Sequence, residues 1–128
     1  MTRVVVDASV LAGLAFGEPE AAAWAERLEG RAVFAPRLLQ YELQSVAHKK
    51  CRRYPEQAAA IVGALARALD PRAGITWVDP DPGDVVLVAA ATGLTAYDAT
   101  YLCVAGLLGA DLATADRALA SAVESALA

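Results

Sequence analysis

A chain of 128 residues, 57% apolar but only 6% aromatic, has the length of one domain and must build its core from Ala, Val and Leu rather than from rings. Its net charge of −4 argues against a generally basic polyanion-binding surface. Its apolar runs, Val85 to Ala91 and Tyr101 to Ala110, are well short of the ~20 residues that span a bilayer, so no membrane association is expected. No apolar segment with a small-residue cleavage site follows Met1, which makes the cytoplasm the expected location. Cys51 and Cys103 lack CxxC or zinc-type spacing and are expected as reduced, buried thiols.

In chain order, Val4 to Val6 is a short β-branched run that ends at Asp7 and feeds a helix from Ala8 to Phe16, stopped by Gly17. Glu18-Pro19 opens a second helix through Trp24 and Leu28 to Gly30. Ala32 to Ala35 is a second strand. Pro36 then starts a long helix through Leu38, Glu42 and Ser45, whose basic end at Lys49 to Arg53 complements the helix dipole before Tyr54-Pro55 breaks it. Pro55 to Leu69 reads as an amphipathic helix and Ile75 to Val78 as a third strand. Asp81-Pro82-Gly83-Asp84 supplies a cap, a proline and an acidic first turn for the helix Val85 to Ala91. Thr95 to Asp98 opens a helix through Leu108 that Gly109 ends. Asp111 to Thr114 is a short strand, and Asp116 caps a last helix. No repeat or low-complexity linker interrupts this order. Strands alternating with helices predict a parallel sheet flanked by helices, a three-layer α/β class in one domain over residues 1–128.

Each acidic residue has an ordinary structural explanation. Asp7 and Asp116 can cap helices, Asp98 can complete a capping box with Thr95, and Glu42 can face water. Together they are more informative. In a parallel sheet the carboxyl ends of all strands lie on one edge, where open α/β folds bind ligands. Asp7 and Asp116 follow strands, Asp98 heads the helix that feeds the last strand, and Glu42 lies about one and a half turns into its helix. Carboxylates sharing one cleft repel each other unless a cation sits among them. Mg2+ or Mn2+ suits such a set, since hard cations prefer oxygen ligands and bind phosphates, and the chemistry implied is phosphoryl transfer to water. His48 is the sole imidazole and sits at the basic helix end, which leaves no partner for a Ser/His/Asp arrangement.

Four ordered blocks resemble the PIN domains and, among them, the VapC toxins of type II toxin–antitoxin systems. They are Val4-Val5-Val6-Asp7-Ala8-Ser9, Ala35-Pro36-Arg37-Leu38-Leu39-Gln40-Tyr41-Glu42, Leu94-Thr95-Ala96-Tyr97-Asp98-Ala99, and Gly109-Ala110-Asp111-Leu112-Ala113-Thr114-Ala115-Asp116. The resemblance implies an α/β/α PIN fold and an endoribonuclease dependent on Mg2+ or Mn2+. It implies metal ligation through Asp7, Glu42, Asp98 and Asp116, supported by Ser9 and Thr114. It further implies a homodimer and a VapB-type antitoxin whose C-terminal segment lies over the acidic cleft.

Two departures stand out. Ser45 occupies a position three residues after Glu42 where many VapC sequences carry Asn, and Ala118 to Ala128 stays helix-like where a final strand is common. Asp111 is expected as a strand-edge residue, and Asp79, Asp81 and Asp84 as turn and helix-start chemistry. Lys49, Lys50, Arg52 and Arg53 are candidates for RNA-phosphate contacts or equally a solvated helix end. Trp24 and Trp77 are expected in the core or at a dimer surface.

Three other functions compete, of which a haloacid-dehalogenase-like phosphatase would want a second Asp two residues after the first, where this chain has Ser9. A receiver domain needs paired acidic residues after the first strand and a late Lys, but the chain has Asp7 alone there and no Lys after Lys50. A binding module that retains the fold without catalysis keeps the same carboxylates and is not separated by sequence.

Overall fold

The computed structural model describes residues 1–127. Four parallel strands form one sheet: β1 (Arg3–Val6), β2 (Ala32–Ala35), β3 (Thr76–Trp77) and β4 (Asp111–Ala113), in the order β3-β2-β1-β4. Seven helices flank it: α1 (Ala8–Ala15), α2 (Ala21–Leu28), α3 (Leu38–Arg53), α4 (Ala58–Leu69), α5 (Pro82–Thr92), α6 (Ala96–Leu108) and α7 (Arg117–Leu127).

The strand order divides the helices. From β1 the chain moves outward through β2 to β3, then crosses back to place β4 on the other side of β1. Crossovers running in opposite directions with the same hand put their helices on opposite faces. Accordingly α1 to α4 pack on one another, whereas α6 lies on β1 and β4 and holds α5 and α7. Three layers result. The chain direction reverses between β1 and β4, and open α/β sheets bind ligands in the crevice beyond the carboxyl ends of such a pair.

Small side chains allow this close layering. Val4, Val5 and Val6 are fully buried, as a strand covered on both faces requires. Val10, Ala35, Leu39, Leu43, Val104, Ala105 and Leu119 close the core around them. Trp24 and Trp77 are half-buried and pack against it. Cys51 and Cys103 are free thiols, but both are half-buried rather than fully enclosed.

Helix boundaries follow their caps. Asp81 accepts hydrogen bonds from the amides of Gly83 and Asp84 at the start of α5, and Gly109 ends α6 with a left-handed φ of 60°. Three expected boundaries move. α2 begins at Ala21 rather than at Glu18-Pro19, because the chain makes a turn there with the Ala21 amide donating to the Glu18 carbonyl. A 3-10 turn over Pro55–Gln57 precedes α4. β3 is only two residues long and pairs with β2 alone, so Ile75 and Val78 flank it as packing residues. As the composition of residues 118–128 predicts, α7 follows β4, and no fifth strand forms among the described residues. No single described helix is long and apolar enough to cross a membrane.

Candidate functional site

The pairing register sets Asp7 beside Thr114. Val6 is the partner of Ala113, so the next residue on each strand emerges at the same edge, and the Asp7 amide still donates to the Ala113 carbonyl at 3.3 Å. Asp7 is only 6% exposed. A carboxylate so buried needs compensation, and three donors supply it. Ser9 Oγ donates to Oδ1 at 2.6 Å, the Val10 amide donates to Oδ1 at 3.1 Å, and the Thr114 hydroxyl donates to Oδ2. The capping role is therefore real, but a cap alone needs one such bond.

Ser9 and Thr114 also shape the loop after β4. Ser9 Oγ accepts the Ala115 amide at 3.0 Å, and Thr114 Oγ1 accepts the Asp116 amide at 2.9 Å. Asp116 then caps α7, with Oδ1 accepting the Leu119 amide at 2.9 Å. Two hydroxyl groups thus tie the first acidic residue to the backbone that carries the last.

Glu42 does not face water. It is half-buried on α3, and the Tyr101 hydroxyl donates to its Oε1. Burial raises the proton affinity of Glu42, the Tyr101 hydrogen bond lowers it, and the charges of Asp7 and Asp98 raise it again. Tyr101 itself is held well above the ordinary phenol range, chiefly by burial and by its bond to Glu42. Asp98 sits in the first turn of α6, where the Thr95 hydroxyl accepts the Asp98 amide at 3.1 Å. Only this half of a capping box forms, so the Asp98 carboxylate is not committed to capping. Its proton affinity is raised by burial, then by the charges of Asp116 and Asp7.

These mutual effects place the four carboxylates in one electrostatic neighbourhood at the β1/β4 edge. No Lys or Arg among the described residues forms a salt bridge with any of them, so the negative charge stands unneutralised by the chain itself. No three His, Cys, Asp or Glu side chains among the described residues approach closely enough to enclose a metal ion. The distinction is physical: charges act over longer distances than ligation, and uncompensated carboxylates turn toward hydrogen-bond donors and away from each other. The donor set, all hard carboxylate oxygens with no cationic partner among the described residues, fits a divalent oxygen-loving cation by its chemistry.

The other charged candidates disperse. Asp111 lies at the opposite end of β4 and pairs with Arg31 at 2.5 Å. Lys50 is occupied by Glu18 at 3.1 Å and lies 5.4 Å from the centre of the Phe16 ring, so it belongs to the packing of α3 on the α1 end. Arg53 lies over Tyr54, while Lys49, Arg52 and His48 are exposed. Ser45 is exposed one turn beyond Glu42. Two participants escape the sequence reading. Tyr101 stands in the sequence only as the start of an apolar run, and Asp79 reads as a turn residue, although its carboxylate accepts the Arg37 amide at 2.9 Å and the Arg37 guanidinium at 2.7 Å at the head of α3.

The model of the PIN domain family matches residues 4–124, which takes in every carboxylate described above. The crystal structure of PAE2754 from Pyrobaculum aerophilum is similar over 98% of this chain and 87% of that one, with 32% sequence identity and a TM-score of 0.75. The comparison with curated proteins found no match. PIN domains are generally metal-dependent nucleases, and a receiver-domain reading is not compatible with these matches. From the sheet order and these two likenesses, the chain belongs to the PIN domain family.

Proposed function

We propose that this chain is a single-domain, metal-dependent endoribonuclease and the toxin of a toxin–antitoxin pair, with Asp7, Glu42, Asp98 and Asp116 as ligands for Mg2+ or Mn2+. The observation that supports this reading is the buried Asp7 carboxylate at the β1/β4 edge, acting electrostatically on Glu42 and Asp98 and unpaired with any basic side chain among the described residues. When bound, the cation supplies an acidified water and neutralises charge on a phosphodiester.

The chain's own residues divide the remaining work. Ser9 and Thr114 hold Asp7 in place and keep the Asp116 loop against it. The Asp98 carboxylate and the half-buried Glu42 complete the negative surface toward which the cation is drawn. Exposed Lys49, Arg52 and Arg53, on the same helix as Glu42, supply phosphate contacts. Exposed Val86 and Leu87 on α5 with Tyr97 and Leu107 on α6 support burial of that face in a homodimer. A VapB-type antitoxin would inhibit by laying its C-terminal segment over the acidic edge, and such a pair acts in the cytoplasm.

One observation favours a second reading. Since no three potential ligands among the described residues come close enough to enclose an ion, a PIN module that binds without cutting has the same carboxylates and no turnover. Cleavage of total tRNA and a structured RNA by the purified chain, with Mg2+ or Mn2+ against EDTA, separates the two. The expected result is metal-dependent cutting that Asp7→Asn and Asp98→Asn abolish while the fold persists. Cutting that survives both substitutions would sink the proposed site, and folded protein that never cuts would support the silent module.

A further inference from the structure

The hydrogen bonds around Asp7 explain Ser9 and Thr114 but leave Tyr101 unexplained. This side chain lies on α6, one turn after Asp98, and is 1% exposed within the main core. A phenylalanine would fill the same space without a hydroxyl to satisfy, and burying a hydroxyl unpartnered is costly. Here the hydroxyl reaches Glu42 Oε1 on α3, 59 residues away in sequence. One buried hydroxyl therefore joins the helix carrying Glu42 to the helix carrying Asp98.

A glutamate is a poorly ordered ligand by itself. Its flexible side chain forfeits rotamer freedom when fixed, and a half-buried carboxylate among like charges is pushed away from them. A directional bond from a rigid, buried ring removes that freedom in advance and opposes the repulsion. The Tyr101 bond takes up Oε1 and leaves Oε2 open to a further partner.

We infer that Tyr101 is a positioning residue: its buried hydroxyl restrains the Glu42 carboxylate, and through that carboxylate it would strengthen the binding of a divalent cation. The inference rests on the carboxylate reading above. It extends that reading by assigning Tyr101 a role exerted through Glu42 alone, with no contact to RNA.

The test is Mn2+ binding measured by calorimetry on the full chain without RNA, for wild type, Tyr101→Phe, Glu42→Gln and the double variant, with cooperative unfolding as the check on folding. Tyr101→Phe keeps the ring and so the packing. Hydrogen-bond partners of metal ligands typically change affinity by about 10–100-fold. The expected result is a loss of that size for Tyr101→Phe in the wild-type background and less than about twofold when Glu42 is already Gln, because a residue acting through Glu42 has nothing left to act on. In RNA cleavage the same variant lowers kcat and leaves KM unchanged. Equal losses in both backgrounds mark a general structural defect and overturn the inference. Wild-type affinity in Tyr101→Phe, with Glu42→Gln impaired, overturns it while the carboxylate reading stands. Wild-type affinity in Glu42→Gln removes Glu42 from the site and overturns both.

Discussion

Thr114, one residue past β4, donates its hydroxyl hydrogen to Asp7, one residue past β1, and accepts the Asp116 amide on the same oxygen at 2.9 Å. A single side chain thereby holds a buried carboxylate and fixes the backbone of a second acidic residue. Thr114→Val preserves the shape and removes both bonds. A buried group deprived of one partner costs about 1–3 kcal/mol, more when charged, so the expected loss in urea unfolding is at or above the middle of that range. An unchanged midpoint would show that water replaces the hydroxyl at no cost.

Asp7 and Asp98 should separate in stability although both are proposed metal ligands. The Asp7 carboxylate accepts three hydrogen bonds, and Asp7→Asn replaces an acceptor oxygen by a donor amide facing other donors. Asp98 offers its carboxylate to no cap, and burial with the charges of Asp116 and Asp7 disfavours its ionised form. In metal-free buffer at neutral pH, Asp7→Asn is expected to destabilise by about 2 kcal/mol, while Asp98→Asn is neutral or stabilising by up to about 1 kcal/mol. Adding Mn2+ should then stabilise wild type by mass action and Asp98→Asn much less, reversing their order. Thermal unfolding with and without Mn2+ checks both, and equal Mn2+ shifts in the two proteins would remove Asp98 from the site.

The elements legible in the sequence are those with local signals. Asp81-Pro82, Thr95 and Gly109 mark the ends of α5 and α6 by chemistry confined to one turn, and the structure places those ends accordingly. The Glu18-Pro19 start failed because proline at a first helical position is also a good turn residue, and the Ala21 amide bonds back to Glu18 instead. β3 shrank to Thr76–Trp77 at the edge of the sheet: the Val78 amide still bonds the Ala35 carbonyl, while Ile75 packs against the core without a register partner, a distinction that composition does not make. In the candidate site, Asp7 was legible as the residue that ends a strand, and Ser9, two residues on, from the family resemblance. The Tyr101 bond to Glu42 spans 59 residues and the Asp79 bond to Arg37 spans 42, and neither has a local pattern to read. A Tyr in an apolar helix looks like core until its hydroxyl partner is known.

Asp79 gives a pH dependence of definite sign. Arg37 heads α3 without a side-chain cap of its own, and Asp79 supplies the anion from the loop after β3. Its carboxyl is held below the ordinary range by the Arg37 amide, then by the guanidinium. A carboxyl whose folded value is depressed contributes stability above its unfolded value and loses it as pH falls through the folded one. The pair is substantially exposed, with side chains 63% and 46% accessible, so its contribution is at most about 1 kcal/mol. Asp79→Asn should therefore be less stable than wild type at pH 7, with the gap closing below pH about 4. A gap that persists unchanged at pH about 2 would assign the effect to packing.

The basic end of α3 is not uniform, and salt can sort it. Along a helix rising about 1.5 Å per residue, Lys49 lies about 10 Å beyond Glu42, within reach of the next phosphates of a strand at the acidic edge. Lys50 is held by Glu18 and the Phe16 ring, whereas Lys49 and Arg52 are exposed. Each phosphate contact to single-stranded RNA adds about 0.7 to the slope of log affinity against log salt. Lys49→Gln with Arg52→Gln should flatten that slope by about 1.4, two contacts at about 0.7 each, with little change in unfolding. Lys50→Gln should leave the slope alone and lower stability by up to about 1 kcal/mol through the lost Glu18 pair. Binding titrations of a cleavage-deficient Asp7→Asn chain at several salt concentrations decide the matter. A slope unmoved by the double substitution would return Lys49 and Arg52 to the role of a solvated helix end that answers the dipole of α3.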